Sequence, residues 1–240
     1  MQAPHSESPA AGRTITAACA DVLRAPYRTF LLLALLADAA SARLPSSSGP
    51  SALTFFVFSG LTLLIQLSLT LVAGSVDPSG SADAWIRAAL RRRCFWRYTV
   101  TSILTLILVG VGGLGFVVGA VIVAGFVALA QPASVLERLT PGQALPRSAQ
   151  VSKGRRGAVM AIFAALILVP SLLPATFLYL PLFGVKIPFG RALAVASGLV
   201  ATVFSIAGVI ALTRMFVALG GRASPSLDQL AEEPLGVTGS

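Results

Sequence analysis

"FWRYTVTSILTLILVGVGGLGFVVGAVIVAGFVALAQ", Phe95–Gln131, is almost continuously apolar once its first turn is past. As a single helix from Tyr98 to Gln131 it would extend roughly 50 Å at 1.5 Å per residue, against a bilayer hydrocarbon core of about 30 Å. The stretch must therefore fold back. "GVGGLG", Gly110–Gly115, supplies four glycines where the chain can turn between two helices. Whether this stretch counts as one span or two decides the topology of everything around it.

The surrounding composition sets the class. Over 240 residues the chain is 55% hydrophobic and 11% charged, with a mean hydropathy of +0.84. A soluble globule carries about a quarter charged residues, so this is too little polar surface to cover one. The composition is that of an integral membrane protein. The formal charge of +9 raises nucleic acid as a partner, but that requires one accessible basic stripe on a soluble domain. Here the basic residues fall in short clusters between apolar runs, so no nucleic acid is expected.

Working outward, the apolar runs predict an all-α polytopic protein with six transmembrane helices, at about 27–43, 51–76, 95–110, 114–131, 157–182 and 191–219. Residues 1–12 and 223–240 are polar, turn-forming tails, and 13–222 is one membrane domain. Charge placement agrees with six. With the N-terminus inside, 15 of the 18 Lys and Arg lie on the inner side and only Arg43, Lys186 and Arg191 outside; with five spans the bias disappears. Both termini are then cytoplasmic, in a cell inner membrane. The two middle helices are short, which predicts tilting or local bilayer thinning. "FLLLALLADAASA", Phe30–Ala42, has the look of a cleavable signal, but its lead-in of about thirty residues is too long, and it reads as the first span. Cys19 and Cys94 both fall on the inner side, where thiols stay reduced.

Three inner-side segments share a pentad ahead of an apolar hairpin: "DVLRA" (21–25), "AWIRA" (84–88) and "ALPRS" (144–148). Their arginines Arg24, Arg87 and Arg147 lie 63 and 60 residues apart, which suggests a threefold repeat of amphipathic helix plus hairpin, related by an axis along the membrane normal. In the middle copy Ser81 is an N-cap, and Trp85, Ile86, Ala89, Leu90 and Trp96 are expected to face lipid with Arg87, Arg91, Arg92 and Arg93 toward water. Trp85, Arg87, Arg91, Arg92, Arg93 and Trp96 are thus the candidate membrane-interface residues, with anionic headgroups as partners.

The third copy carries the densest polar passage, "QPASVLERLTPGQALPRSAQVSKG" (131–154). Thr140, Pro141 and Gln143 make a capped helix start, and Gly154 is placed to end the helix. Ala144, Leu145, Ser148 and Val151 are expected to face the membrane, and Glu137 is close enough to pair with Arg147 across the fold-back. This passage resembles the signature of the glycerophosphoryl diester phosphodiesterase membrane-domain family and its YciC-like inner-membrane relatives: a Pro leaving a span, an acidic residue, a short Ala-Leu-x-Arg-Ser helix, then Gly. The matching residues are Pro132, Glu137, Ala144, Leu145, Arg147, Ser148 and Gly154, with Pro146 as a departure. The resemblance implies six spans and amphipathic cytoplasmic helices over about Thr14–Arg222.

Catalysis finds no support. The phosphodiesterase chemistry in that family's name belongs to a separate soluble barrel built on metal-binding carboxylates and histidines. Here the single histidine, His5, sits in the N-terminal tail, there is no Asp or Glu cluster, and the common hydrolase and nucleotide motifs are missing. No cofactor or metal is expected. Intramembrane polar residues are few, chiefly Asp38 and Gln66, with Thr62, Ser68 and Thr70 near the latter. Asp38 reads either as a buried carboxylate or as a marker of the outer interface beside Arg43. The expectation is a non-catalytic scaffold or homeostasis component working through lipids or other membrane proteins, with a transporter or export accessory as the alternative. "GFVVG", Gly115–Gly119, is read as a packing surface within the bundle.

Overall fold

The computed structural model describes residues 16–24, 26–42, 52–91, 94–113, 116–179 and 190–224. Among them the regular elements are helices: α1 (16–21), α2 (Tyr27–Ala42), α3 (Ala52–Gly74), α4 (Ala82–Arg91), α5 (Phe95–Gly113), α6 (Phe116–Val127), α7 (Ala130–Leu136), α8 (Pro141–Val151), α9 (Arg156–Phe163), α10 (Val169–Tyr179) and α11 (Gly190–Ala218). A π-helical turn, Ala164–Leu168, joins α9 to α10. It lies just before Pro170, which lacks the N–H that a regular helix would use there.

Five stretches are long and apolar enough to cross a membrane: Val57–Gly74, Phe95–Gly113, Val118–Leu136, Arg156–Pro174 and Val195–Ala218. The chain is therefore a multi-pass, all-helical membrane protein. The expected first span is the short one. Its helix has 16 residues and reaches only about 24 Å.

The fold-back occurs where the glycines are, but later than expected. Helix α5 runs through Gly110 and Gly112 to Gly113, and α6 starts at Phe116. Gly112 and Gly119 then meet across the hairpin so closely that a Cβ on Gly119 would land on the Gly112 carbonyl. The reading of Gly119 as a packing position holds; Gly115 lies outside the described residues. The fourth span was expected to stop at Gln131 with Pro132 leaving it. Instead the chain bends at Ala128–Leu129 and continues as α7 to Leu136, with Pro132 in its first turn. Proline is tolerated there because the first turn has no intrahelical acceptor for that N–H.

Consecutive helices pair as hairpins, α2 with α3, α5 with α6 and α10 with α11, and α11 closes the bundle against α2 and α3. The buried core runs through Phe30, Leu67, Leu69, Leu71, Leu129, Ile162, Ile210 and Phe216. Ile103, Leu106, Ile107 and Val111 of α5, by contrast, are exposed, as suits a lipid-facing surface. The expected C-terminal tail, 223–240, is packed against the bundle at its start. Ser224 is buried and donates its backbone N–H to the Gly74 carbonyl at 2.7 Å, forming a parallel bridge with Ser75. The rest of that tail, 225–240, and the expected N-terminal tail, 1–12, lie outside the described residues.

Candidate functional site at the polar end of the bundle

The short helices gather at one end of the bundle, where α3, α7 and α11 finish and α5 and α9 begin. Glu137, just past α7, is the junction. Arg147 of α8 donates Nε to Glu137 Oε2 at 2.8 Å and Nη2 to Oε1 at 2.9 Å, a bidentate pair. The backbone N–H of Arg222, beyond α11, donates to the same Oε1 at 3.2 Å. One carboxylate thus fastens α7, α8 and the end of α11. Hydrogen bonding from Arg147 holds the Glu137 carboxyl below its usual range; burial opposes the shift and the Arg222 N–H reinforces it.

The local sequence makes this geometry available. Arg138 turns the chain with φ of 55°, and its carbonyl accepts a hydrogen bond from Arg97 Nη1 at 2.7 Å. Thr140 then starts α8: its backbone N–H and its hydroxyl both donate to Gln143 Oε1, at 3.2 and 3.0 Å, with Pro141 in the first turn. Helix α8 passes through Pro146 to Val151, and Gly154 takes φ of +87° in the turn that follows. The carboxylate–guanidinium pairing, the helix start and the terminator all fall where the residue pattern places them.

The face of α8 expected to touch the membrane is instead turned into the protein. Ala144, Ser148 and Val151 are buried, Leu145 packs partly against the core, and the Ser148 hydroxyl donates to the Phe126 carbonyl at 2.7 Å. That carbonyl belongs to the last turn of α6, where backbone acceptors lack intrahelical donors. Small residues at 144 and 148 let α8 come close to α6 and α7; they are packing residues rather than lipid contacts.

The middle segment needs a similar correction. Ser81 caps α4 as expected, its Oγ accepting from the Ala84 N–H at 3.3 Å. Trp85, however, is fully buried and donates Nε1 to the Ser79 carbonyl at 3.1 Å, and Ala89 is buried beside it. Trp85 is a core residue that locks the 75–81 loop, not a lipid anchor. Trp96 and Leu90 are exposed, at 72% and 53%. Arg87 is spent on a local bridge to Asp83 at 2.6 Å. Arg91 closes α4, its side chain outside the described set, and Arg92 and Arg93 lie outside the described residues altogether.

A second cluster escaped the sequence reading. Asp21 of α1 is buried and accepts from Arg24 at 3.0 Å and from Arg214 of α11. Arg214 also donates to the Tyr27 hydroxyl at 3.5 Å and sits over its ring, 5.8 Å from the centroid. The signal was a lone cation inside the last apolar run; its partner lies 193 residues away, beyond the reach of any local pattern.

Comparison with protein-family models, with curated proteins and with solved structures gave no match.

Inside the bundle, Gln66 Oε1 accepts from the Tyr98 hydroxyl at 3.4 Å, and Gln131 Nε2 donates to Ser102 Oγ at 3.3 Å. The buried face of α5 consists of Tyr98, Thr101 and Thr105, and the hydroxyls of the two threonines have no hydrogen-bond partner among the described residues. By contrast Thr62, Ser68 and Thr70 of α3 bond back to carbonyls four residues earlier. Asp38 is in α2, with its side chain outside the described set. No group of three or more His, Cys, Asp or Glu residues suited to a metal occurs among the described residues.

Proposed function

We propose that this chain is a six-span, non-catalytic scaffold or homeostasis component of a cell inner membrane, both termini cytoplasmic, acting through lipid headgroups and other membrane proteins. The observation that carries it is the Glu137 junction. A bidentate ion pair and a backbone hydrogen bond there hold an amphipathic helix and two span ends in one fixed plate, which suits a surface built to present contacts rather than to open and close.

The sixth span is α2, accommodated by local bilayer thinning or by flanking residues. The threefold arrangement belongs to the same proposal. Each paired hairpin follows a short helix, and in each pentad the arginine meets an acidic residue: Asp21, Asp83 and Glu137 respectively. The likeness to the phosphodiesterase membrane-domain and YciC-like families rests on the motif from Pro132 to Gly154 and remains part of this reading.

A transporter or export accessory is the second reading, favoured by one observation: the inward face of α5 is hydroxylic, with Thr101 and Thr105 buried and unbonded. Native mass spectrometry of gently extracted protein separates the two. A stoichiometric protein partner or retained phospholipid is the expected result. A small polar solute, retained by the parent and lost with Thr101→Val and Thr105→Val, refutes the scaffold. Topology is tested at Cys19, which is partly exposed. An impermeant thiol reagent should reach it only after permeabilisation, whereas labelling in intact cells places α1 outside. Cys94 is buried and should stay unlabelled in the folded protein either way.

A further inference from the structure

Arg24, Arg87, Arg97, Arg147 and Arg214 are committed within the protein, four to carboxylates and one to a carbonyl. In the turn between α8 and α9, "KGRRG" (153–157), the side chains of Lys153, Arg155 and Arg156 enter no ion pair and no side-chain hydrogen bond among the described residues. Lys153 and Arg155 are exposed. Three uncompensated cations within four residues repel one another, an arrangement that an external anion relieves.

Arg156 gives the turn a fixed shape. Its guanidinium lies over the Phe126 ring, 4.1 Å from the centroid, with Nε shielded and unbonded. Stacking on one face leaves the edge of the plane, with its Nη protons, as the donor surface. Phe126 is itself held, because the Ser148 hydroxyl bonds its carbonyl. Gly154 and Gly157 are exposed on either side, so the backbone beside the cations carries no side chain. Depth decides the ligand. Arg156 is the first residue of the apolar stretch Arg156–Pro174, which puts the three cations where a spanning helix leaves the hydrocarbon and meets the headgroup phosphates.

We infer that Lys153, Arg155 and Arg156, with Phe126 as the platform for Arg156, form a site for the phosphodiester of an anionic phospholipid headgroup. The site rests on the lipid-contact part of the proposed function and gives it a location. Arg87, already paired with Asp83 on the exposed face of α4, is the matched control, since its removal changes net charge by the same amount.

The test uses the full chain in nanodiscs of phosphatidylcholine alone or mixed with phosphatidylglycerol, with native mass spectrometry counting retained lipids. The parent should keep phosphatidylglycerol preferentially. Arg155→Gln and Arg156→Gln should each weaken retention about fivefold, the equivalent of about 1 kcal/mol per cation at the surface. Arg87→Gln should leave it unchanged, and inorganic phosphate should not displace the lipid. Arg155 is exposed and its replacement leaves the core intact, so that variant reads binding rather than folding. Unchanged retention in both turn variants overturns the site, as does equal weakening by Arg87→Gln, which means diffuse attraction and leaves the general lipid reading standing. Displacement by inorganic phosphate makes it a soluble-anion site and overturns the lipid assignment. No preference for phosphatidylglycerol in the parent overturns the site together with the anionic-lipid part of the proposed function.

Discussion

Glu137→Gln and Arg147→Gln, singly and together, test whether the polar end is held by protein or by lipid. The pair is bidentate, and its side chains keep 13% and 32% of their exposure. That places it between an exposed bridge, about 0–1 kcal/mol, and a buried one, where removing a single partner costs about 3–5 kcal/mol. Each single change should therefore cost about 2 kcal/mol, and the coupling between them should be about 1–2 kcal/mol. Unfolding in mixed micelles with increasing anionic detergent measures all four corners of the cycle. Additive losses, or none, refute the idea that this pair pins α8.

Proton linkage provides an independent check on the same pair. Because the folded carboxyl lies below its ordinary value, its contribution is complete above the unfolded pKa of about 4.3 and is lost as pH falls through the folded value. The stability advantage of the parent over Glu137→Gln should be flat from pH 7 to about 5 and shrink below about 4. An advantage that grows on acidification has the wrong sign for this mechanism.

Two further predictions concern packing. A side chain at Gly119 meets the Gly112 carbonyl, a backbone atom that cannot move aside alone, so Gly119→Ala should destabilise by about 1–3 kcal/mol. Gly110→Ala, with nothing within 4 Å of its Cβ, should be neutral or stabilising by up to about 1 kcal/mol in the same unfolding assay; equal losses at both positions would deny the close crossing. In single-tryptophan variants, brominated lipids should quench Trp96 strongly and Trp85 hardly at all, in keeping with 72% and 0% exposure, and strong quenching of Trp85 would return it to the membrane surface.

Much of the molecule is legible in local chemistry. Apolar composition, the impossible length of Phe95–Gln131 as one span, the glycines that break it and the Thr140–Pro141–Gln143 helix start are all properties of short windows. They require a membrane, helices, a fold-back and a capped α8, and the structure has the last three. The Glu137–Arg147 pair belongs here too, since only a short turn and the first half of α8 separate its members.

Helix faces are a different matter. In a membrane, lipid and a neighbouring helix are both apolar partners, so a hydrophobic face does not reveal which one it meets. Trp85, Ala144 and Val151 were expected against lipid for that reason and are buried in protein, while α5 keeps hydroxyls inside and leucines and isoleucines outside. The same ambiguity holds for charge. Every cation that the charge pattern assigns to the inner side satisfies the expected bias equally well, whether it is spent on Asp21 like Arg214 or exposed like Arg155. Only the tertiary contacts sort them, because the partners of Arg214 and Arg97 come from distant segments of the chain, whose approach is set by small residues and interhelical packing rather than by hydrophobicity along the chain.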